Sequence, residues 1–479
     1  MQNNSKDVVV IGAGISGLVC AYRLKMLGVD VLLLEQSHHA GGVMQSVRVD
    51  DFLIERGPNS AQGVPELLAL VNELGISDEL VEGNPKAPAY VYFNGKLRAV
   101  PMSPPSLIAS DLLSPGGKLR LLREPLIARR EPSTEESVAG FITRRLGSEV
   151  AERLVAPFVS GIYAGDEKRL SIQAAFPMLA NLERDHGSLL RGGMAKMREA
   201  RQAKKNSPAV DLPKRKRSVS FRDGMQVLPQ TLEAKLGEVL LTECQEVSIA
   251  DCGLRIADSA LQQNKTNKFA VTFKHSGIEQ QITCNRLVIA TPATSAAGLI
   301  VAVSKDLALL IQEIEYPPLA VVYLTYGKAG IGNPLNGFGF LAAPGEKLNV
   351  LGCIFSSSQF AGRAPQDKAL LTIFMGGARN PELTEYGADR LGAMAHAELK
   401  KILGIQSLPR VIGITRWARA IPQYNIGHAA RVKRIEELVR RIKGFHIIGN
   451  YLHGVSVGDC IKEAEKLAIA ISQSTAKII

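Results

Sequence analysis

A strand, a glycine-rich turn, a helix and a second strand follow one another at the start of the chain, and this order constrains the fold most. Residues 8–11 are apolar throughout, as in a strand buried on both faces of a parallel sheet. A Gly-x-Gly-x-x-Gly turn at residues 12–17 leads into an apolar pattern of helical period that ends at Gly28. Residues 31–34 form the next buried strand, and Glu35 follows it. The segment predicts a βαβ unit that binds a dinucleotide.

Each glycine of this turn has a physical role. Gly12 allows the tight turn, Gly14 lets the backbone approach a pyrophosphate, and Gly17 lets helix and strand pack closely. The helix N-terminus offers unpaired amides to the phosphates. Glu35 can accept a hydrogen bond from a ribose 2′-hydroxyl and would repel a 2′-phosphate. The predicted contacts are Gly12, Ala13, Gly14, Ile15, Ser16, Gly17, Glu35 and Gln36.

A second glycine pair, Gly41-Gly42, follows the ribose acid. Residues 43–55 then alternate like a hairpin and end at a Gly-Pro-Asn-Ser turn over residues 57–60. A second close approach of the backbone suits FAD, which threads an extended path through its domain, better than NAD. The predicted cofactor is therefore FAD, and the predicted contacts are Gly42, Val43, Gly57, Pro58, Asn59 and Ser60.

The composition is that of an ordinary soluble protein, 46% hydrophobic and 22% charged over 479 residues, which allows two or three domains. No apolar run approaches the roughly 20 residues of a membrane-spanning helix. The first strand begins too early to leave room for a signal peptide, so we expect a cytoplasmic location or an organelle reached by an unusual route. The six cysteines and eight histidines show no metal or Cys-x-x-Cys spacing, so we expect neither a zinc site nor a disulfide scaffold.

Much of the net charge of +11 lies in one segment, residues 196–222, with ten basic and two acidic residues. Such a run attracts phosphates, including those of anionic lipid. A solvated loop is the alternative. Residues 196–220 contain no aromatic side chain, so we do not expect a nucleic-acid partner.

The rest of the chain alternates between strand and helix patterns. A helix is predicted over residues 65–74, a hairpin with an Asn94-Gly95 turn over 89–100, and a largely helical region up to residue 190. Strands that return to the first domain are predicted at 239–250, 268–274 and 285–292. Strands of a second sheet are predicted at 320–326, 337–342, 348–355 and 369–374, a helix at 386–403, a further strand at 410–417 and a last strand at 445–450 before a final helix.

The chain resembles the protoporphyrinogen oxidases, members of the FAD-dependent amine-oxidase superfamily, over nearly its whole length. The two glycine motifs are common to the superfamily, and more specific motifs are GPNS at 57–60, GKLRAVP at 95–101, SGIYAGD at 160–166, AIPQY at 420–424, GNY at 449–451 and GVSVGDC at 454–460. They are nearer to the plant-type branch than to that of Gram-positive bacteria. Val43 departs from the pattern, because many relatives carry arginine there, so we expect backbone to meet the cofactor.

The resemblance implies an α/β fold of three parts. A discontinuous Rossmann-like FAD-binding domain would comprise residues 1–88, 219–296 and 412–479. A mostly helical membrane-facing domain would comprise 89–218, and a substrate domain built on an antiparallel sheet would comprise 297–411.

The resemblance also implies oxidation of protoporphyrinogen IX to protoporphyrin IX by removal of six electrons, normally passed to oxygen. No catalytic acid or base is predicted, because the flavin N5 accepts hydride. Arg98 would anchor a propionate; a surface hairpin arginine is the alternative. Leu341 and Phe355 would line the slot for the macrocycle, with plain core as the alternative. Asn59 and the carbonyl of Gly161 would lie near the ring.

The final helix is expected to contact the flavin. Its positive dipole end would face the flavin edge that becomes negative on reduction, and Asp459 would cap it. An ordinary C-terminal helix is the alternative. Trp417 would lie near the flavin or simply pack, and Val247 would meet the adenine through backbone atoms. The remaining predicted contacts are Gly449, Val455, Ser456 and Val457.

Three other functions stay open. One is oxidation of coproporphyrinogen III, whose four propionates would require more basic residues around the slot. Another is amine oxidation, although no cysteine is placed for covalent flavin attachment and no aromatic cage is evident. The third is a catalytically silent, membrane-associated flavoprotein. Expected partners are the tetrapyrrole, an anionic membrane surface to which the protein binds peripherally, a second copy of the chain and a ferrochelatase that receives the product.

Overall fold

The computed structural model describes residues 5–130, 135–206, 218–251 and 268–475. Most of the second half of the basic segment, residues 207–217, lies outside the described residues. The described strands are β1 Ser5–Ile11, β2 Val31–Leu34, β3 Ser46–Val49, β4 Phe52–Glu55, β5 Ala61–Gln62, β6 Leu80–Glu82, β7 Ala89–Phe93, β8 Lys96–Ala99, β9 Ser218–Phe221, β10 Leu240–Leu241, β11 Gln245–Asp251, β12 Phe269–His275, β13 Ile278–Ile289, β14 Leu319–Gly327, β15 Gly339–Ala342, β16 Val350–Ile354, β17 Lys368–Gly376, β18 Arg410–Trp417 and β19 Phe445–Ile447.

The α-helices of the described residues connect and cover these strands. They are α1 Ile15–Met26, α2 Pro65–Leu74, α3 Pro104–Ala109, α4 Pro115–Leu122, α5 Val138–Leu146, α6 Ser148–Val150, α7 Ala156–Tyr163, α8 Ile172–Ala175, α9 Pro177–His186, α10 Leu189–Asn206, α11 Val227–Leu236, α12 Ala293–Ile300, α13 Lys305–Gln312, α14 Ser356–Gln359, α15 Ala388–Leu403, α16 His428–Arg441 and α17 Val457–Thr475. None of them is both long and apolar enough to cross a bilayer.

The first sheet is assembled from distant parts of the chain. Its order is β10-β2-β1-β13-β12-β11, and β19 also pairs with β13. The pairs among β10, β2, β1, β13 and β19 are parallel, whereas β13, β12 and β11 form an antiparallel extension. Apolar clusters cover both faces, as parallel strands require. The strands come from the three segments predicted for a discontinuous dinucleotide-binding domain.

The second sheet has the order β18-β14-β17-β16-β15-β7-β8. Its pairs are antiparallel except that of β15 with β7, which is parallel, so the antiparallel sheet that the resemblance implies contains one parallel pair. The hairpin β7–β8 turns at Asn94 and Gly95, both with positive φ, as its sequence predicts. This hairpin and β18 belong to the same sheet, although they lie partly or wholly outside the predicted substrate domain of residues 297–411. The pairing of strands distant in sequence cannot be read from composition.

Different helices cover the two faces of the second sheet. Helix α15 packs on the outer face through Leu391, Ala395 and Leu399. The region of α3 to α10 forms its own core and contains a buried ion pair between Arg145 and Glu124. Such a buried charge persists only when it is paired. This arrangement leaves the inner face of the second sheet directed towards the first domain and the helical region.

Candidate cofactor and substrate site

The glycine turn after β1 is shaped for a phosphate. Gly12 has φ +103°, and a Cβ there would lie 2.8 Å from Cγ2 of Thr291. A Cβ on Gly17 would overlap the carbonyl oxygen of Gly12, so the helix and the turn can approach only with glycine. At Gly14 a Cβ would meet nothing within 4 Å. The turn is therefore tightly packed on its inner side and open at the position where a ligand approaches.

Glu35 lies at the carboxyl end of β2 beside this turn. Its Oε2 accepts a hydrogen bond from the Ala13 amide at 2.7 Å, and its Oε1 accepts one from the Ser37 amide at 2.9 Å. The Cys244 amide bonds to the Glu35 carbonyl, which brings the start of β11 and the half-buried Val247 to the same edge of the sheet. This is the place that a ribose and its base require, while Gln36 is exposed.

The second glycine pair returns to the first turn. The Gly41 amide donates to the Ala13 carbonyl at 2.8 Å. Gly42 has φ +57°, and a Cβ there would be 3.3 Å from the Cα of Gly14. Val43 is 49% exposed, and a Cβ on Gly57 would overlap its carbonyl oxygen. Three backbone segments therefore meet around one opening, as a long flavin dinucleotide requires.

The rest of the Gly-Pro-Asn-Ser turn also lies at this junction. Pro58, Asn59 and Ser60 are half-buried. The Ser60 hydroxyl accepts from the Ser218 hydroxyl at 2.8 Å, which joins the turn to β9. The indole of Trp417 donates to the Arg56 carbonyl at 2.9 Å, so Trp417 lies just before this turn.

The final helix begins beside the first one. The Sγ of Cys460, in the first turn of α17, is hydrogen-bonded to Ser16 in the first turn of α1, and burial raises the pKa of the Cys460 thiol to about 11. Both helices therefore direct their N-termini to one region, where Gly449, Val455, Ser456 and Val457 also lie. Clustered positive dipole ends favour an anionic ligand there.

The cap of α17 differs from the prediction. The Ser456 hydroxyl accepts from the Asp459 amide at 3.1 Å, and the Asp459 carboxylate accepts from the Ser456 amide at 3.3 Å. Ser456 is thus the N-cap, and Asp459 is the third helical residue of a capping box. The assignment of the cap to Asp459 was wrong, because the box pairs an acid three residues into the helix with a serine before it.

Tyr424 fixes the loop that precedes α17, and the sequence reasoning did not find this role. Its hydroxyl donates to the Asn450 carbonyl at 2.6 Å and accepts from the Gly454 amide at 2.8 Å, so it spans both ends of the loop. The ring stacks on His428 with 4.2 Å between centroids and 11° between planes. His428 is 1% exposed, so its imidazole is almost entirely removed from water.

Acid is expected to destabilise the protein through this histidine. Burial lowers the pKa of His428 from 6.5 to about 4, and burial does the same for His446. The unfolded chain therefore binds protons between about pH 6.5 and pH 4 that the folded chain does not. As the pH falls through that window, the free energy of unfolding should decrease by about 1.4 kcal/mol per pH unit for each histidine. Urea titrations across this range measure the slope.

The variant His428→Phe keeps the stack on Tyr424 and removes one titrating group. Its free energy of unfolding should fall less steeply between pH 6.5 and pH 4 than that of the unaltered chain. An equal slope for the two proteins would contradict the assignment of the acid sensitivity to His428.

The inner face of the second sheet presents one row of side chains. Residues directly opposite each other in neighbouring strands point to the same face. The pairings join Val321 to Phe374, Phe374 to Gly352, Gly352 to Leu341, Leu341 to Val91, and Val91 to Arg98. The row is therefore apolar for most of its length and ends in a guanidinium at the sheet edge.

Two predicted slot residues meet at this row. Helix α7 crosses it so that a Cβ on Gly161 would overlap Cδ2 of Leu341. Phe374, which the sequence reasoning missed, stands two strands from Leu341 with only Gly352 between them. The alternation along β17 would have placed Phe374 on this face, had the register of the pairing been known.

Phe355 is not part of this row. It is fully buried in the cluster on the outer face, where its ring lies 6.4 Å from that of Phe340. It follows the last residue of β16, and the chain turns into α14 there, so its side chain is directed away from Leu341. The placement contradicts its assignment to the slot and supports the alternative, a core residue.

Asn59 lies one step along the strands from the row. It lines a small cavity together with Ile354 and Thr372, which are paired on the inner face. Arg363 closes the cavity and is paired with Glu55 at 3.2 Å. Burial raises the pKa of Glu55 and lowers that of Arg363. Asn59 thus lies between the Gly-Pro-Asn-Ser turn and the sheet, and its place near the macrocycle stays a prediction.

Arg98 is held at the end of the row by groups of the chain itself. Its Nε donates to Oδ2 of Asp111 at 2.8 Å, and its Nη1 donates to the Phe93 carbonyl. The Arg98 side chain is 13% exposed, whereas that of Asp111 is 69% exposed. The hydrogen bond from Arg98 lowers the pKa of Asp111. The guanidinium of Arg98 is therefore already paired with the carboxylate of Asp111, which is exposed to water.

The model for the family described as flavin containing amine oxidoreductase matches residues 15–472, and the chain belongs to that family. The chloroplastic protoporphyrinogen oxidase of Nicotiana tabacum is 33% identical over 97% of this chain and 85% of its own length. The coproporphyrinogen III oxidase of Bacillus subtilis is 27% identical over 97% of each chain. The fold is shared with cyclohexylamine oxidase of Brevibacterium oxydans, with a TM-score of 0.64 at 16% identity over 98% of this chain and 99% of that one.

The protein is thus an FAD-dependent oxidoreductase, and the residues described fit its cofactor. The open position at Gly14, the two helix N-termini and the carboxylate of Glu35 suit pyrophosphate and ribose. The backbone around Gly42 and Gly57 leaves room for the remainder. Among the described residues no cluster of His, Cys, Asp and Glu could hold a metal ion.

Proposed function

We propose that the chain oxidises protoporphyrinogen IX to protoporphyrin IX, with oxygen as the electron acceptor. The observation that carries this proposal is the apolar row that ends in Arg98, on a sheet that faces an FAD-binding fold. A greasy macrocycle with acidic side chains on one edge matches a surface of that kind. The name of the relative from Nicotiana tabacum supports the same substrate.

The residues of the chain bind and orient the substrate. FAD, when bound, supplies the hydride acceptor. Leu341 and Phe374 exclude water from the macrocycle and contribute mainly by buried area, at about 25 cal/mol per Å². Gly161 lets helix α7 lie directly against Leu341, because any side chain there would overlap that leucine. Arg98 pairs with a propionate and so fixes which edge of the macrocycle points outwards.

Coproporphyrinogen III is the second candidate, since the relative from Bacillus subtilis is named for it. That substrate carries four propionates, two of which would lie at the far side of the ring from Arg98. Along the described row the other side chains are apolar or glycine from Val91 to Val321, so those two propionates would meet no cation there. Protoporphyrinogen IX has only two propionates, both on one edge of the macrocycle, so it fits this row better than coproporphyrinogen III.

Porphyrin fluorescence tests the proposal. The FAD-loaded protein is mixed in air with protoporphyrinogen IX and, separately, with coproporphyrinogen III at equal concentrations. The expected result is red fluorescence with both a faster onset and a larger kcat/KM for protoporphyrinogen. Preference for coproporphyrinogen would favour the second candidate, and no porphyrin from either would leave a silent flavoprotein.

We also propose that the helical region faces an anionic membrane. Of the 21 large hydrophobic side chains exposed in the described residues, 11 lie between positions 102 and 197. They are Met102, Ile108, Leu119, Leu122, Leu126, Phe158, Ile162, Met178, Leu190, Met194 and Met197. Exposed arginines at 123, 129 and 191 accompany them. Apolar and basic groups together are typical of a surface that inserts among lipid head groups.

Vesicle sedimentation tests this surface. We expect the FAD-loaded protein to bind vesicles with anionic lipid more tightly than neutral vesicles, and added salt should weaken this binding steeply. The variant Leu126→Asp should bind about tenfold more weakly, because it removes apolar area that the lipid would bury and adds a charge of the same sign as the lipid. Leu408→Asp is the control, since Leu408 is 87% exposed outside this region. Absent or salt-indifferent binding would contradict the proposal.

Dimerisation and transfer of product to a ferrochelatase stay predictions.

A further inference from the structure

Two arginines share one aromatic ring at the edge of the second sheet. The Cζ of Arg98 lies 5.5 Å from the centroid of the Phe93 ring, and the Cζ of Arg153 lies 4.8 Å from the same centroid. Phe93 is the last residue of β7 and is itself half-buried. The ring attracts both cations, so the two guanidiniums lie beside it despite their mutual repulsion.

Arg153 reaches this place from the helical region. It lies in a five-residue π-helical turn, Ala151–Val155, directly before the helix that carries Gly161. Such turns are uncommon and often occur at functional sites, because the extra residue redirects side chains. The neighbouring Leu154 packs against the small apolar cluster that contains Val91 of the row. The turn therefore brings a second guanidinium to the end of the row where Arg98 lies.

Both guanidiniums keep donors available. Arg153 uses Nη1 for the Leu112 carbonyl at 2.9 Å and for Glu149 at 3.2 Å. Arg98 uses Nε and Nη1. Among the described residues, no hydrogen bond or ion pair engages Nη2 of either arginine.

The two acidic partners differ in how firmly they are held. The carboxylate of Glu149 accepts from the amide and the hydroxyl of Ser114 at 2.8 and 2.7 Å, so it keeps partners without Arg153. Asp111 is 69% exposed. One incoming carboxylate can replace Asp111 at Arg98. A second carboxylate can bind Arg153 without displacing Glu149, which keeps its hydrogen bonds to Ser114.

We propose that Arg153 is a second carboxylate-binding residue, and that Arg98 and Arg153 each take one of two propionates on neighbouring pyrrole rings. Phe93 is the spacer that sets their separation, and Asp111 occupies Arg98 until substrate arrives. The inference rests on the proposed function. It assigns the site to a macrocycle with two adjacent acidic side chains, because a bidentate guanidinium pairs best with one carboxylate.

Porphyrin esters separate this role from a structural one. Binding of protoporphyrin IX and of its dimethyl ester to the FAD-loaded protein is measured by fluorescence quenching, for the unaltered chain and for Arg153→Gln. We expect Arg153→Gln to weaken the diacid on the order of tenfold or more and to leave the dimethyl ester unchanged. Arg410→Gln is the matched control, since Arg410 pairs with Asp50 at the opposite edge of the same sheet.

Each result decides one question. If Arg153→Gln binds the diacid as tightly as the unaltered chain, Arg153 is no carboxylate site, and the proposed function still stands. If it loses the diacid and the ester equally, Arg153 only supports the Leu112 loop, which also overturns the inference. If the unaltered chain binds neither porphyrin, the proposed function itself fails. Arg153→Lys should recover part of the affinity for the diacid, because it keeps the charge without the fork.

Discussion

Gly17→Ala is expected to yield a folded protein that does not retain FAD. The methyl group would overlap the carbonyl oxygen of Gly12 and also lie 3.2 Å from Cβ of Ala290. Relief requires α1 to move away from the turn, which moves the amides that meet the pyrophosphate. Binding of FAD requires α1 to return against the turn, so the overpacking cost of about 2 kcal/mol or more is paid on binding, and the Kd for FAD should rise at least on the order of thirtyfold. Visible absorbance after gel filtration reports the retained flavin.

Gly298→Ala is the matched control for this prediction. Gly298 also lies inside a helix, α12, but a Cβ there would meet nothing within 4 Å. That variant should keep its flavin and be about 0.5–1 kcal/mol more stable, since alanine is the better helix former. Equal flavin content in the two variants would contradict the role given to the packing of Gly17.

Arg98→Ala is expected to raise KM for protoporphyrinogen about tenfold to a hundredfold, with little change in kcat and with FAD retained. The guanidinium would contact a propionate and not the bonds that are oxidised, so its loss removes binding that is equal in the ground and transition states. A hydrogen bond to a charged group sets the size of the effect. Steady-state fluorescence assays measure both constants.

Asp111→Asn separates substrate binding from the ion pair of the unliganded protein. It removes the same pair at 2.8 Å but leaves the guanidinium free, so KM should not rise and is expected to fall. If KM rises in both variants, the pair is structural. If it is unchanged in Arg98→Ala, Arg98 is not the anchor.

Local patterns were sufficient to predict much of the fold. The βαβ unit has apolar strands, a glycine turn and an acid within one short segment, so no distant contact is needed to define it. Asn94-Gly95 determines its hairpin in the same way, because both residues tolerate positive φ. The motif of residues 57–60 is also local, and its Asn59 lines a cavity beside Ile354 and Thr372, while its place near the macrocycle stays a prediction.

Features that depend on register or distant pairing were not predictable from such patterns. Phe355 and Leu341 are both apolar residues near strand ends, and only the pairing shows that they belong to opposite faces. Phe374 joins Leu341 across Gly352 through a long-range register. Tyr424 and Arg153 act on segments distant in sequence, so nothing adjacent to them signals their contacts.

The transfer of electrons from substrate to cofactor is the central claim, and anaerobic mixing tests it most directly. The FAD-loaded protein is combined with protoporphyrinogen IX without oxygen, and the visible absorbance is followed. We predict that the oxidised-flavin absorbance is bleached at once and returns when air is admitted, together with porphyrin fluorescence. A flavin spectrum that persists with excess protoporphyrinogen present would contradict the account.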